Sequence, residues 1–218
     1  EAAPQAAAVV PGKQGQSLVK VRRLTPDDDA LEVFVHSPDR DGLFAAIVMT
    51  LDRKGYGIHR ARVLDGPMDT IFDTFEVTPA DSFADGDAPR LEAALREALS
   101  GDLTRLRPSR RAIPRQLRHF RFAPRIEFRD ASDNETGSTR FSLVAPDRPG
   151  LLADVAFVLR NQGLRVHDAR IATFGERAED MFVISDEHDQ PLTDTARQQL
   201  HDAMLTCLDP DRKAGDTP

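Results

Sequence analysis

Shifted by 108 residues, the sequence falls on itself: Val33–Val63 lies on Phe141–Ile171 without a gap, with eleven identities in 31 positions. They are Pro38/Pro146, Asp39/Asp147, Arg40/Arg148, Gly42/Gly150, Leu43/Leu151, Ala45/Ala153, Leu51/Leu159, Gly55/Gly163, His59/His167, Ala61/Ala169 and Arg62/Arg170. Apolar matches such as Ile47/Val155 and Ile58/Val166 lie between them. One residue of slippage later, Asp73-Thr74-Phe75 falls on Asp180-Met181-Phe182. A period this long is a whole domain, not a solenoid unit. The 218 residues have room for two domains of roughly a hundred residues each. The division that follows is a linker over 1–16, a first domain over 17–101, an Arg/Pro-rich linker over 102–122, a second domain over 123–208 and a polar tail over 209–218.

Both copies spell the same elements. Alternating apolar residues at Leu31, Val33 and Val35, and at Phe141 and Leu143, predict a half-buried strand. A PDRDG or PDRPG turn follows, then a helix face marked by Leu43, Ile47 and Leu51, or by Leu151, Val155 and Leu159. Asp39 and Asp147 are expected at or just before the N-cap, where a carboxylate meets unpaired N–H groups. Gly55 and Gly163 suit the C-terminal stop. Strands are expected at Gly57–Leu64 and Ile71–Thr78, and again at Leu164–Phe174 and Asp180–Asp186. Leu91–Leu99 and Thr193–Cys207 read as closing helices. Leu18–Leu24 and Arg125–Phe128 each read as the leading strand of a hairpin, filling the place of a missing last strand. Each copy is then ββαββα, a permuted α+β ferredoxin-like unit with helices on one face of an antiparallel sheet. Two such units leave sheet edges or faces to bury, so the copies are expected to pack on each other.

Composition removes several function classes. Cys207 is the single cysteine, which excludes an internal disulfide and a multi-cysteine metal site. No apolar run is long enough for a membrane helix; the longest, around Leu43–Leu51, is flanked by Asp41 and Asp52. The reading is a soluble protein of a reducing compartment, with a cytoplasmic location and no membrane partner. A net charge of −7 speaks against nonspecific nucleic-acid binding. The aromatic stacking pattern of RNA-binding ferredoxin-like sheets is also missing. The chain begins at Glu1 with a stretch rich in Ala, Gln, Pro and Gly, and reads as a piece of something longer. His-Asp occurs at His167-Asp168, His188-Asp189 and His201-Asp202, expected on a strand, in a turn and on a helix. Such scattered pairs do not form a phosphohydrolase metal centre, and no metal or catalytic residue is assigned.

The turn and strand motifs resemble a known family. A ββαββα unit with Pro-Asp-Arg-x-Gly-Leu between first strand and first helix resembles an ACT domain, a small amino-acid-sensing module. The second copy is more specific. Asp147-Arg148-Pro149-Gly150-Leu151-Leu152, Val166-His167-Asp168-Ala169-Arg170-Ile171 and Thr173-Phe174-Gly175-Glu176-Arg177 resemble the C-terminal tandem ACT region of bacterial PII uridylyltransferase/uridylyl-removing enzymes. Leu43-Phe44-Ala45-Ala46, Leu51-Asp52-Arg53 and Ile113-Pro114-Arg115-Gln116-Leu117 fit as well.

The resemblance implies a glutamine sensor for nitrogen regulation. In such enzymes UMP is added to a tyrosine of the PII protein when nitrogen is scarce and removed when glutamine is plentiful. The nucleotidyltransferase and HD phosphohydrolase domains, with their Mg²⁺, precede the ACT region. Implied partners are therefore glutamine, the chain's own catalytic domains and, through the whole enzyme, PII. The alternative is a stand-alone tandem ACT regulator acting through protein–protein contacts.

Family ligands sit between two units, at the turn of one and the second strand of its neighbour. That places Asp39, Arg40, Gly42 and Leu43 with Val166, and Asp147, Arg148, Gly150 and Leu151 with Ile58, as ligand-binding candidates. The two Asp residues cap a helix, contact a ligand, or do both, since a helix N-terminus also receives a carboxylate. Where relatives often carry Asn on the second strand, this chain has Gly57 and Arg165, a departure compatible with a single working site. His59, Arg62, His167 and Arg170 recur at equivalent strand positions and are interface or regulatory candidates. Eight arginines without an acid between Leu103 and Ile126 read as a solvated connector, a docking strip for the catalytic domains or a phosphate-binding patch.

Overall fold

Strict alternation of buried and half-buried residues along β2 (Leu31–Pro38) and β6 (Thr139–Pro146) sets one face of each copy against its helices. The computed structural model describes residues 17–25, 29–80, 84, 86–109, 122–130 and 137–208. The expectations for residues 1–16, for the connector between 110 and 121 and for the tail 209–218 lie outside the described residues. The first copy comprises β1 (Leu18–Arg23), β2, α1 (Leu43–Arg53), β3 (Tyr56–Gly66), β4 (Thr70–Pro79) and α2 (Asp87–Ser100). The second comprises β5 (Arg125–Asp130), β6, α3 (Leu151–Asn161), β7 (Arg165–Phe174), β8 (Arg177–Ser185) and α4 (Asp194–Leu208). This is the expected ββαββα order, twice.

The strands join in one antiparallel sheet of eight, in the order β1-β2-β4-β3-β7-β8-β6-β5. It reads the same from either end once equivalents are exchanged. The leading strands β1 and β5 pair with β2 and β6 at the two outer edges, the position inferred for the permuted strand. The copies meet edge to edge through β3 and β7, which removes two strand edges that would otherwise template foreign pairing. Arg62 pairs with Arg170 in that register. Each is the other's equivalent in the repeat, so a pseudo-two-fold axis passes between them.

Helix α1 departs from a single apolar stripe: every residue from Leu43 to Asp52 is buried. Its neighbours explain this, because α1 packs against α2 on one side, α3 on the other, and the sheet beneath. The Phe44 ring meets Phe75 of its own copy at 6.4 Å and Phe182 of the other at 6.1 Å. One apolar core therefore runs through both copies. Truncating a side chain such as Phe44 should cost about 3–5 kcal/mol and weaken both halves together.

Two local features shape the site. The helices α1 and α3 start at Gly42 (φ 78°) and Gly150 (φ 81°), with no side-chain cap. The expectation that Asp39 and Asp147 cap them is thereby corrected: left-handed glycines end the turn, and the carboxylates stand three residues earlier. The register of β3 slips between Ile58 and Arg60, and that of β7 between Val166 and Asp168. His59 and His167 are thus the extra residues of equivalent β-bulges, which re-aim side chains toward the copy interface.

Candidate functional site

The pseudo-two-fold axis creates two equivalent corners. Each is built from the turn after the inner strand of one copy and the bulged strand of the other. The first holds Asp39–Ala45 with Leu164–Val166, and the second holds Asp147–Ala153 with Gly57–His59. Both turns are braced alike: Asp39 N donates to Asp69 O and Asp147 N donates to Glu176 O. The corners nevertheless differ in content.

In the first corner two arginines occupy the space. Arg165 donates to Asp39 Oδ2 at 2.5 Å and to both Asp189 carboxylate oxygens at 2.8 Å. Burial is the largest single influence and opposes its charge, but the bond to Asp39 and the charges of Asp39, Asp189 and Asp41 together outweigh it and raise the Arg165 pKa. The Arg160 side chain lies against Gly42, so close that a Cβ there would meet its Cδ at 3.0 Å. Arg160 is held by the carbonyls of Leu103 (3.0 Å) and Leu106 (2.9 Å) and lies over the Phe157 ring. Burial lowers its pKa. About 30 Å³ of free volume remains, the share of one water molecule in the liquid.

The second corner is open. Gly57 stands where the first has Arg165, and Asp52 where it has Arg160. Asp52 is drawn aside by the Ser109 amide, 2.7 Å away. The cavity left is about 250 Å³, lined by the Asp147–Ala153 turn and helix start, Gly57–His59, Thr78 and Asp180. At its floor the α3 amides of Leu151 and Asp154 donate back to Arg148 and Gly150. The amides of Leu152 and Ala153 between them have no intrahelical acceptor and form the positive end of the helix.

The walls of this cavity are acidic. Burial raises the Asp147 pKa, against the pull of the Arg148 amide and of the His59 and Arg148 charges. Asp180, on β8 and 3% exposed, is pushed up to about 7, first by burial and then by the Asp147 charge. Its first-copy equivalent, Asp73, is 1% exposed and also raised well above the usual carboxylate range, again chiefly by burial.

The other candidates spread around these corners. Leu43 and Leu151 are buried in the helix starts, and Ile58 and Val166 are half-buried on the bulged strands. Arg40 donates to Leu99 O at 2.7 Å and Arg148 pairs with Asp154, so both guanidiniums brace their turns. Arg62 and Arg170 face each other across the seam; Arg170 lies 3.7 Å from Asp168 and neither reaches Asp39 or Asp147. His59 bonds Thr78 Oγ1 at 2.6 Å, and His167 bonds the equivalent Ser185 at 2.7 Å. His167 also crosses the interface to Asp65 at 2.9 Å, the main reason its pKa is raised. The three His-Asp pairs lie on β7, in the turn after β8 and on α4. Among the described residues no group of three His, Cys, Asp or Glu is placed to hold a metal ion. Nor, among them, is any helix long and apolar enough to cross a membrane.

Sequence reasoning passed over Asp52, Arg160, Asp73 and Asp180. For the last two a signal existed: each carboxylate occupies an inward position of an alternating strand, between Ile71 and Phe75 or between Ala178 and Phe182.

The ACT domain profile matches residues 139–202, from β6 into α4. Over 206 residues, 94% of this chain, the sequence is 72% identical to the bifunctional uridylyltransferase/uridylyl-removing enzyme of Xanthomonas campestris pv. campestris. It is 36% identical over 195 residues, 85% of the chain, to the enzyme of the same name from Azotobacter vinelandii. The chain spans about a quarter of the length of these relatives, 24% and 22% respectively. Aspartate kinase from Synechocystis aligns over 74% of this chain and 24% of its own, at 18% identity and a TM-score of 0.42, too distant to bear on the site. The repeat extends the ACT assignment to the first copy, and the chain belongs to the tandem ACT-domain region of the bifunctional uridylyltransferase/uridylyl-removing enzyme family.

Proposed function

We propose that the chain is the glutamine-sensing module of its parent enzyme, and that it binds one glutamine in the second corner. The observation that carries this reading is the open cavity of about 250 Å³ between the α3 start and β3. That volume lies just below the roughly 300–1,000 Å³ typical of sites for drug-sized ligands, and suits a single amino acid. Free amides at the helix start offer donors to a ligand carboxylate. Asp147 offers an acceptor to its ammonium. A neutral side-chain amide fits walls that already carry Asp52, Asp147, Glu176 and Asp180; a glutamate side chain would add a further negative charge.

Binding acts on the parent's catalytic domains by favouring one of two arrangements of the module relative to them. Those domains, with their Mg²⁺, would carry the uridylyl transfer to and removal from PII in a cytoplasmic setting. Calorimetry on this chain should detect glutamine, with glutamate weaker. Gly150→Val should abolish binding, since a β-branched side chain strains this left-handed backbone (φ 81°) and takes up space in the cavity that Gly150 and Asp52 line. Undiminished binding in that variant would sink the placement.

A further inference from the structure

The first corner displays what the second one lacks. At Asp39 the chain supplies its own cation, Arg165. At Asp147 the equivalent position is Gly57, and among the described residues no Arg or Lys forms a salt bridge with Asp147; neighbouring Arg148 is turned to Asp154. Behind Asp147 lies Asp180, which lines the same cavity. The Ala172 amide donates to its carboxylate, but Oδ1 has no hydrogen-bond partner among the described residues. A buried carboxylate oxygen left without a donor is costly; Asp73 Oδ1 bears that cost in the closed corner, whereas Asp180 Oδ1 belongs to a residue lining a cavity that can admit a donor. The α3 amides line the same cavity. Its lining thus asks for a cation at one place and an anion at another, the two charges that an α-amino acid carries.

We infer that Asp180, together with Asp147, receives the α-ammonium group of the amino acid bound in the second corner. This rests on the reading of that corner as an amino-acid site. No covalent bond changes: a neutral carboxyl and an ammonium become a carboxylate–ammonium pair, and one proton leaves. The charged and titratable groups facing the pair are Asp52 from α1, Tyr56 and His59 from β3, Arg148 from the turn and Glu176 from the β7–β8 turn. The strand neighbours of Asp180, Leu143 and Ile171, are apolar. Burial and Asp147 thus keep the proton on, and an arriving ammonium reverses the balance.

The test is calorimetric titration of the whole chain with glutamine in buffers of different ionisation enthalpy. With Asp180 titrating at about 7, close to one proton should be released per glutamine near about pH 6 and almost none near about pH 8. Asp180→Asn should abolish the release and weaken binding at least about tenfold near pH 8. Asp147→Asn removes the charge that helps hold the proton, so it should shift the affinity–pH midpoint downward. That second variant keeps the test intact if Asp180→Asn melts early. Asp73→Asn, in the closed corner, should leave glutamine affinity unchanged. Unaltered affinity and proton release in Asp180→Asn would overturn the assignment while leaving the amino-acid site standing. Proton release on adding Mg²⁺ alone, lost in Asp180→Asn, would assign the pair to a metal ion and overturn it too. Absence of any glutamine binding to the unaltered chain would overturn the site reading and this inference together.

Discussion

The two corners begin from equivalent turns, and two opposing positions set their charge and space apart. Arg165 against Gly57, and Arg160 against Asp52, turn one corner into a packed ion-pair cluster and leave the other a cavity. The backbone is shared: both helix starts have left-handed glycines and both bulges carry histidine. A duplicated corner is thus closed without changing the fold, when the chain brings in a cation of its own. The closed corner now ties β7 to the first copy's turn, while in the open one Asp147 has no salt-bridge partner among the described residues.

Moving the plug should have the largest effect. A Cβ at Gly57 would meet nothing nearer than 3.9 Å, so Gly57→Arg starts without a clash and brings a guanidinium to the Asp147 corner, as Arg165 does at Asp39. Glutamine binding, read by calorimetry, should fall below detection, with the melting temperature held or raised. Next comes Asp180→Asn. Between the ordinary carboxylate value of 3.8 and about 7 the native state holds a proton that the unfolded chain has lost. Stability therefore falls as pH rises through that window, with a slope of about 1.4 kcal/mol per pH step of one. Removing the charge should stabilise the chain by roughly 1–4 kcal/mol near pH 8 and flatten this slope in denaturant titrations. A residue retained only for stability would behave oppositely.

Opening the closed corner should be a smaller change. Arg165→Gly should cost on the order of 1 kcal/mol, since the Arg165–Asp39 pair is only partly shielded from solvent. Alone it should not create a second site, because Arg160 still lies against Gly42. Arg160→Asp with Arg165→Gly should give a second, weaker glutamine equivalent in the calorimetric stoichiometry. Smallest is the His167–Asp65 bridge. His167 is raised above its ordinary 6.5, chiefly by the Asp65 bond, so its stabilisation is fully present below that value and lost as pH rises through the folded value. Asp65 is half exposed, so Asp65→Asn should lower stability by less than about 1 kcal/mol near pH 5.5 and by nothing near pH 8.5.

The fold was legible because the duplication doubles each signal. An alternation at Leu31–Val35 that is ambiguous by itself is repeated at Phe141–Leu143, and the glycines bracket both helices. The permuted strand followed from counting, since the sheet needs a partner for β2 and β6. What stayed hidden depends on side-chain reach. Sequence reveals that Gly57 and Arg165 are equivalent, but not that the Arg165 guanidinium turns to Asp39. Likewise Asp39 and Asp147 look like helix caps by spacing, yet Gly42 and Gly150 end the turn and free both carboxylates for other partners. The bulges also escape pattern reading, because the extra residue breaks the alternation by one and looks like noise.

An amide NMR titration of the chain with glutamine addresses the difference between the corners directly. If the second corner is the site and the first is plugged, the amides of Gly57, Gly150, Leu152 and Ala153 should shift saturably together, while those of Gly42, Phe44 and Ala45 stay in place. Equal, saturable shifts at both helix starts, or shifts confined to Gly42–Ala45, would contradict it.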